Sequence, residues 1–233
     1  MTMKIALRPY HRVEDVAQSA TTAQLIKDAY LAPYAAFAPT EVPDLSRIGS
    51  RAGDFAVDQL SSVMARPVVI GSAVASYERF AIGKRAVAFG VDRAHSMALA
   101  QRFTENGHQA VHLDGGTPPD ERRRIIKALA TGEIKVVTNC GLISEGVDVP
   151  AVEAVLLARP TQSEAMYLQQ VGRALRISPG KDCALVLDLV GNVGRHGLPD
   201  AVATGCAGAE LQGRLGPVPA TGIGGCVNDY RPT

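Results

Sequence analysis

The sequence predicts an α/β protein with a doubly wound, mainly parallel sheet. Two observations carry this. Short apolar runs rich in Val, Leu and Ala recur between Lys84 and Asp188, and segments whose apolar residues are spaced three and four apart separate them. Runs without polar alternation suit strands covered on both faces. Strand, helix, strand at this spacing implies right-handed βαβ units, and in such sheets ligands gather at the loops leaving the carboxyl ends of the strands.

Taken in order, Thr22 to Tyr30 and Asp54 to Met64 read as helices, with a Pro-interrupted extended stretch from Pro33 to Pro43 between them. Strands are expected at Arg85 to Phe89, Gln109 to Leu113, Ile134 to Thr138, Val152 to Ala158 and Cys183 to Leu189. Helices are expected at Arg93 to Asn106, Pro118 to Thr131 and Ser163 to Arg176. Thr117 before two prolines reads as an N-cap, Thr161 with Glu164 as a capping box, and Gly107 and Gly132 as helix stops. The tail from Ala201 to Thr233 holds seven Gly and three Pro without an apolar period, a composition that predicts disorder.

The chain has 233 residues, enough for one sizeable core with attachments. Lys and Arg number 24 against 23 Asp and Glu, so any nucleic-acid contact must come from a local patch and not from a polybasic arm. Four cysteines without C-x-x-C spacing, no secretory signal and no long apolar run predict free thiols in a cytoplasmic protein with no membrane contact. His and Cys show no metal-ligand spacing, so no metal site is expected.

Three segments bear chemistry. In Gln169-Gln170-Val171-Gly172-Arg173-Ala174-Leu175-Arg176, at about 100° per residue, Gln169, Arg173 and Arg176 share one side while Leu168, Val171 and Leu175 share another. Two guanidiniums on a rigid helix suit a phosphoryl group in transfer, although the same spacing describes a solvated basic face. Thr138 to Pro150 follows a buried strand with small and hydroxylated residues and then Gly146-Val147-Asp148; it suits phosphate and ribose contacts, or a simple turn. Gly115-Gly116-Thr117 precedes Arg122-Arg123-Arg124, a backbone-approach loop beside either a contact surface or a solvated face.

In this order and on this frame, Thr22 to Asp200 resembles the C-terminal RecA-like lobe of superfamily 2 helicases, the DEAD/DEAH-like and type III restriction-related enzymes. Val87-Ala88-Phe89-Gly90 looks like motif IV, Thr138 to Pro150 like motif V, and Gln169 to Arg176 like motif VI in its Q-x-x-G-R-x-x-R form. The resemblance implies catalytic roles for Arg173, Arg176 and Gln169, with the two arginines acting as fingers on the γ-phosphate of ATP held by the other lobe. It implies nucleotide contacts from Gly146, Asp148 and Gly172, and nucleic-acid contacts from Thr138, Asn139, Gly115, Gly116 and Phe89, with DNA favoured over RNA.

A motor of this kind also needs G-x-x-x-x-G-K-[ST] and a strand-borne acidic pair for Mg²⁺. Gly83-Lys84 has Glu78 where the first glycine belongs and Arg85 where the hydroxyl belongs, and Gly180-Lys181 has Leu175 and Asp182. The one Asp-Glu pair, Asp120-Glu121, opens a basic helix. Leu7-Arg8-Pro9-Tyr10-His11 nevertheless resembles the opening of the family's first lobe. The expected organisation is therefore a remnant-like stub at 1–18, lead-in helices and an extended linker at 19–66, the C-terminal RecA-like domain at 67–200 and the tail at 201–233. ATP and Mg²⁺ would be used only with a first lobe supplied by a P-loop-containing partner, and neither by the chain alone. The competing expectation is a non-catalytic module that binds nucleic acid or a partner.

Overall fold

The structure is a computed structural model that describes residues 21–38, 42–141 and 152–200. The stub, the tail, and Gly146 and Asp148 of the motif V segment lie outside the described residues.

Six strands form one parallel sheet: β1 (Tyr34–Phe37), β4 (Ala86–Phe89), β5 (Ala110–Leu113), β6 (Val136–Asn139), β7 (Ala154–Leu157) and β8 (Ala184–Asp188), in the order β1-β8-β7-β4-β6-β5. A two-residue antiparallel ladder, β2 (Ser50–Arg51) with β3 (Asp54–Phe55), stands apart from it. The helices are α1 (Thr22–Lys27), α2 (Val57–Met64), α3 (Pro67–Phe80), α4 (Arg93–Glu105), α5 (Pro119–Thr131), α6 (Glu164–Leu175) and α7 (Asn192–His196).

Alternation along the strands divides the core into two layers. Val87 and Phe89 of β4, with Val155 and Leu157 of β7, pack against Ile125 and Leu129 of α5 and Tyr167 and Val171 of α6. Ala86 and Ala88, with Ala154 and Leu156, pack on the other face against Val74 and Tyr77 of α3 and Leu99 and Phe103 of α4. Helices on both faces bury β4, β6 and β7 completely, which is why those runs read as continuously apolar.

On the α4 side, β4 presents Ala86, Ala88 and then Gly90, and this small-residue row lets the helix come close. A Cβ at Gly90 would lie 3.0 Å from Ser96 Cβ and 3.1 Å from the Ser96 backbone. Helix α4 starts where Asp92 accepts from His95 N–H at 2.7 Å, and α5 ends at Gly132 with φ of 78°, the left-handed cap that glycine adopts without strain.

Three start signals differ from expectation. Thr117 does not cap α5, because Pro119 needs no N–H partner; its hydroxyl instead accepts from Asp114 N–H at 3.1 Å. The cap of α6 is Ser163, since Thr161 donates its hydroxyl to Asp54. The spacing gave no helix at 67–80, where α3 supplies four buried residues. The lead-in contributes β1 beside β8, with Phe55 and α2 in the second core layer.

Candidate functional site

Phe89 pairs in register with Asn139 and Leu157, and Leu113 with Asn139, so β4, β5, β6 and β7 end in one row. Chain continues beyond that row at Gly90, Asp114 to Gly116, Cys140-Gly141 and Ala158-Arg159. From β4 the chain crosses to α4 on one face, and from the neighbouring β7 to α6 on the other. This reversal opens a crevice at the carboxyl ends. A cavity of about 40 Å³ lies there, lined by Phe89, Gly90, Asn139, Gly141, Arg159, Met166, Gln169 and Gln170.

Helix α6 forms one wall. Val171 and Leu175 are buried, Gln169 is exposed, and Arg173 is 7% exposed, so it is not part of a solvated basic face. Arg176 is exposed and lies past the last helical turn, with φ −60° and ψ 133°, so the helical spacing that grouped it with Gln169 stops one residue short. Both ends of the helix are anchored. At the start, Asn192 Oδ1 accepts from Thr161 N–H at 3.1 Å and the Tyr167 ring stacks on His196 at 5.2 Å. At the end, the Lys181 ammonium donates to the carbonyls of Val152 (2.8 Å) and Arg176 (2.7 Å) and to that of Ala174. Burial pushes Lys181 down to about 8, while the helix C-terminus it caps attracts a cation. The strap before β1 joins the same point, Ala32 N–H donating to Leu175 O at 2.7 Å.

The opposite wall is the β5–α5 loop. Asp114 accepts from Gly116 N–H at 2.9 Å, so that N–H is already used, and lies 3.1 Å from both His112 Nε2 and Arg93 Nε. The His112 imidazole, together with Arg93 and the Gly116 N–H, holds the Asp114 carboxyl below the usual range. Arg122 braces the loop by donating to the Gly115 and Thr117 carbonyls at 3.4 and 3.3 Å, so one member of the basic triplet turns inward.

Thr138 and Asn139 also turn inward. The Thr138 hydroxyl donates to Ser96 O at 2.7 Å and accepts from Ser96 Oγ at 3.1 Å, and Asn139 Nδ2 donates to Ala88 O at 3.3 Å. Neither side chain presents a donor at the surface, because both hold the sheet together. Gly115 and Gly172 are the converse case: a Cβ at either meets nothing within 4 Å, and neither φ is positive. Packing and backbone conformation leave room for a Cβ at both, and a glycine inside a helix, as at Gly172, costs about 1 kcal/mol relative to alanine.

The structure thus brings together Phe89, Asn139 and Gln169 at the cavity, places Gly172 and Arg173 along the same helix with Arg176 just past its end, and sets Gly115 and Gly116 on the neighbouring loop. Arg159, Gln170, Asp54 and Lys181 were not singled out by sequence. Arg159 carried a usable signal, its position just beyond a buried strand, whereas Asp54 reads in the sequence as the start of a helix and lies instead in β3, the helix beginning at Val57. Among the described residues no group of three His, Cys, Asp or Glu could hold a metal ion, and no helix is long and apolar enough to cross a membrane.

Residues 74–178 match the family model of the helicase conserved C-terminal domain. The chain carries a helicase C-terminal domain of the superfamily 2 type. The chain is 35% identical over 180 residues to a 51.5 kDa protein of a Lactococcus phage, covering 77% of this chain and 39% of that protein. It is 34% identical over 103 residues to the ATP-dependent DNA helicase uvsW of Enterobacteria phage T4, covering 43% of this chain and 20% of that one. Among solved structures it aligns with the ATP-dependent type ISP restriction-modification enzyme LlaBIII bound to DNA, with TM-score 0.53 and 19% identity, over 72% of this chain and 12% of that one. That likeness concerns the RecA-like fold. The chain spans 39% or less of the length of these relatives.

Proposed function

We propose that this helicase C-terminal domain supplies Arg173 and Arg176 to the phosphoryl group of ATP held by a P-loop lobe, and backbone contacts to nucleic acid. That lobe is provided by a partner chain or by another part of a longer protein. The observation that carries the reading is the placement of Gln169, Gly172 and Arg173 on a helix fixed at both ends beside the switch-point crevice, with Arg176 at its C-cap. Rigid guanidiniums suit a transition state whose charge spreads over phosphoryl oxygens. Gly115 and Gly172, free of internal demand, leave room for a polymer backbone and for a nucleotide to approach. Asp148 and Gly146 would meet the ribose and phosphates, and DNA is the first polymer to test.

By itself this 233-residue chain should not hydrolyse ATP, because fingers without a P-loop and Mg²⁺ have no positioned phosphate to act on. The test is to fuse the full chain behind the ATP-binding lobe of uvsW in place of that protein's own matching segment, and to measure ATP hydrolysis with single-stranded DNA and with RNA. Polymer-stimulated hydrolysis by the fusion, absent from either half, supports the reading. Hydrolysis by the unfused chain, or a fusion that binds the polymer yet stays inert, contradicts it; the latter would favour a non-catalytic binding module.

A further inference from the structure

Two residues that line the cavity beside α6, Arg159 and Gln170, each keep a buried polar atom without a hydrogen-bond partner among the described residues, Arg159 Nε and Gln170 Oε1. Arg159 follows β7 directly, and its guanidinium is held from one side only. Its Nη2 donates to Asp54 Oδ2 at 3.2 Å, across the interval between the β2–β3 hairpin and the loop before α6. Asp54 is itself fixed: Oδ1 accepts from Gln162 N–H at 2.7 Å and from Phe55 N–H at 2.9 Å, and Oδ2 accepts from the Thr161 hydroxyl at 3.1 Å. A carboxylate bound four ways fixes the Arg159 guanidinium where the residue lines the cavity.

A guanidinium held at the cavity wall can donate to an oxygen placed there. The cavity of about 40 Å³ has room for roughly three water-sized atoms, the bulk of the free oxygens of one phosphoryl group. Gln170 offers a donor as readily as an acceptor, since its carboxamide has the same shape in either orientation. Cys140 feels the charges of Asp92 and Asp114 as well as those of Arg93 and Arg159, and Arg93 Nε lies 3.1 Å from Asp114 Oδ2.

We propose that Arg159, pre-set by Asp54, is a further phosphoryl-binding arginine at this crevice. The proposal rests on the helicase reading above and adds to it a residue of the hairpin segment, which lies before the matched domain. The phosphoryl group could belong to the backbone of a nucleic acid or to a nucleotide, and the test separates them.

The full chain is titrated into a fluorescein-labelled dT20 strand at 50 and 200 mM salt and, separately, into a fluorescent ATP analogue. Arg159→Ala should weaken one probe by roughly tenfold. Loss on dT20, with a salt slope lower by about one, assigns the site to the polymer; loss on the ATP analogue assigns it to the nucleotide. Arg159→Lys keeps the charge and should still weaken binding, because the fork and its buried Nε are gone. Asp54→Asn is the sharper variant. Removing a negative charge would tighten anion binding if only net charge mattered, whereas losing the clamp on Arg159 should weaken it. Arg102→Ala, which removes an exposed charge elsewhere on α4, serves as the charge control and should bind as the wild type.

The proposal is overturned if Arg159→Ala and Asp54→Asn bind both probes like the wild type, if Asp54→Asn binds more tightly, or if the wild type binds neither. Should Arg159→Ala melt at room temperature, Arg159→Lys and Asp54→Asn carry the test. ATP hydrolysis by the fusion protein is a separate readout, so either idea can fail without the other.

Discussion

His95 shows how a single buried side chain sets a pH limit on this domain. It is 2% exposed, and its Nδ1 accepts from Val91 N–H at 3.2 Å, so the ring is built in as the neutral form. Burial pushes it down to about 4, with the Asp92 carboxylate opposing part of that shift. The folded value lies below the unfolded one, so the unfolded chain binds the extra proton between the two. Stability is fully present above pH 6.5 and declines as pH falls toward 4. Urea denaturation at pH 5 should therefore give a folding free energy about 2 kcal/mol lower than at pH 7.5, with most of the difference absent in His95→Gln. Equal pH slopes for the two proteins would contradict this. Nothing in the sequence distinguished His95 from the other histidines, because its role depends on the turn at Val91 folding back over it.

At the scale of elements, the close approach of α4 to β4 and the anchoring of α6 make separate predictions. Gly90→Ala would drive a methyl against Ser96, 3.0 Å away, and through Ser96 would strain its bonds to Thr138. A loss of about 1–3 kcal/mol in thermal or urea unfolding is expected, and an unchanged midpoint would mean that α4 can shift freely. Lys181→Met would leave two carbonyls at the end of α6, and that of Val152 before β7, without their shared donor and should cost about 2–3 kcal/mol; a melting temperature equal to the wild type would exclude the capping role. Most elements were legible from the sequence because strands buried on both faces and amphipathic helices leave periodic signatures. Helix α3 was not, since Pro67 at its first turn hides a start and its apolar residues surround much of the helix. Thr117 and Thr161 look like caps in the sequence and are not, for a related reason: each threonine meets a carboxylate, Asp114 or Asp54, that local spacing does not reveal.

For the whole molecule, the motif VI segment was legible as a helix with a distinctive pair of arginines, and the fold places it at the carboxyl edge of the sheet. What the sequence hid is the division of labour at that edge. Thr138 and Asn139 hold the strands to α4 and to each other, while Arg159 and Gln170 line the cavity and Asp54, more than a hundred residues earlier in the chain, holds Arg159. Segment order conveys neither fact, because both depend on which side of the pleat a residue occupies and on the return of the β2–β3 hairpin. The central claim is that Arg173 acts on a phosphoryl group bound by another lobe. It is tested most directly by polymer-stimulated ATP hydrolysis of the fusion protein with and without Arg173→Ala. A finger role predicts a fall in kcat of about a thousandfold or more, with KM for ATP changed only a few-fold. Equal kcat for the two proteins, or a loss confined to KM, would contradict it.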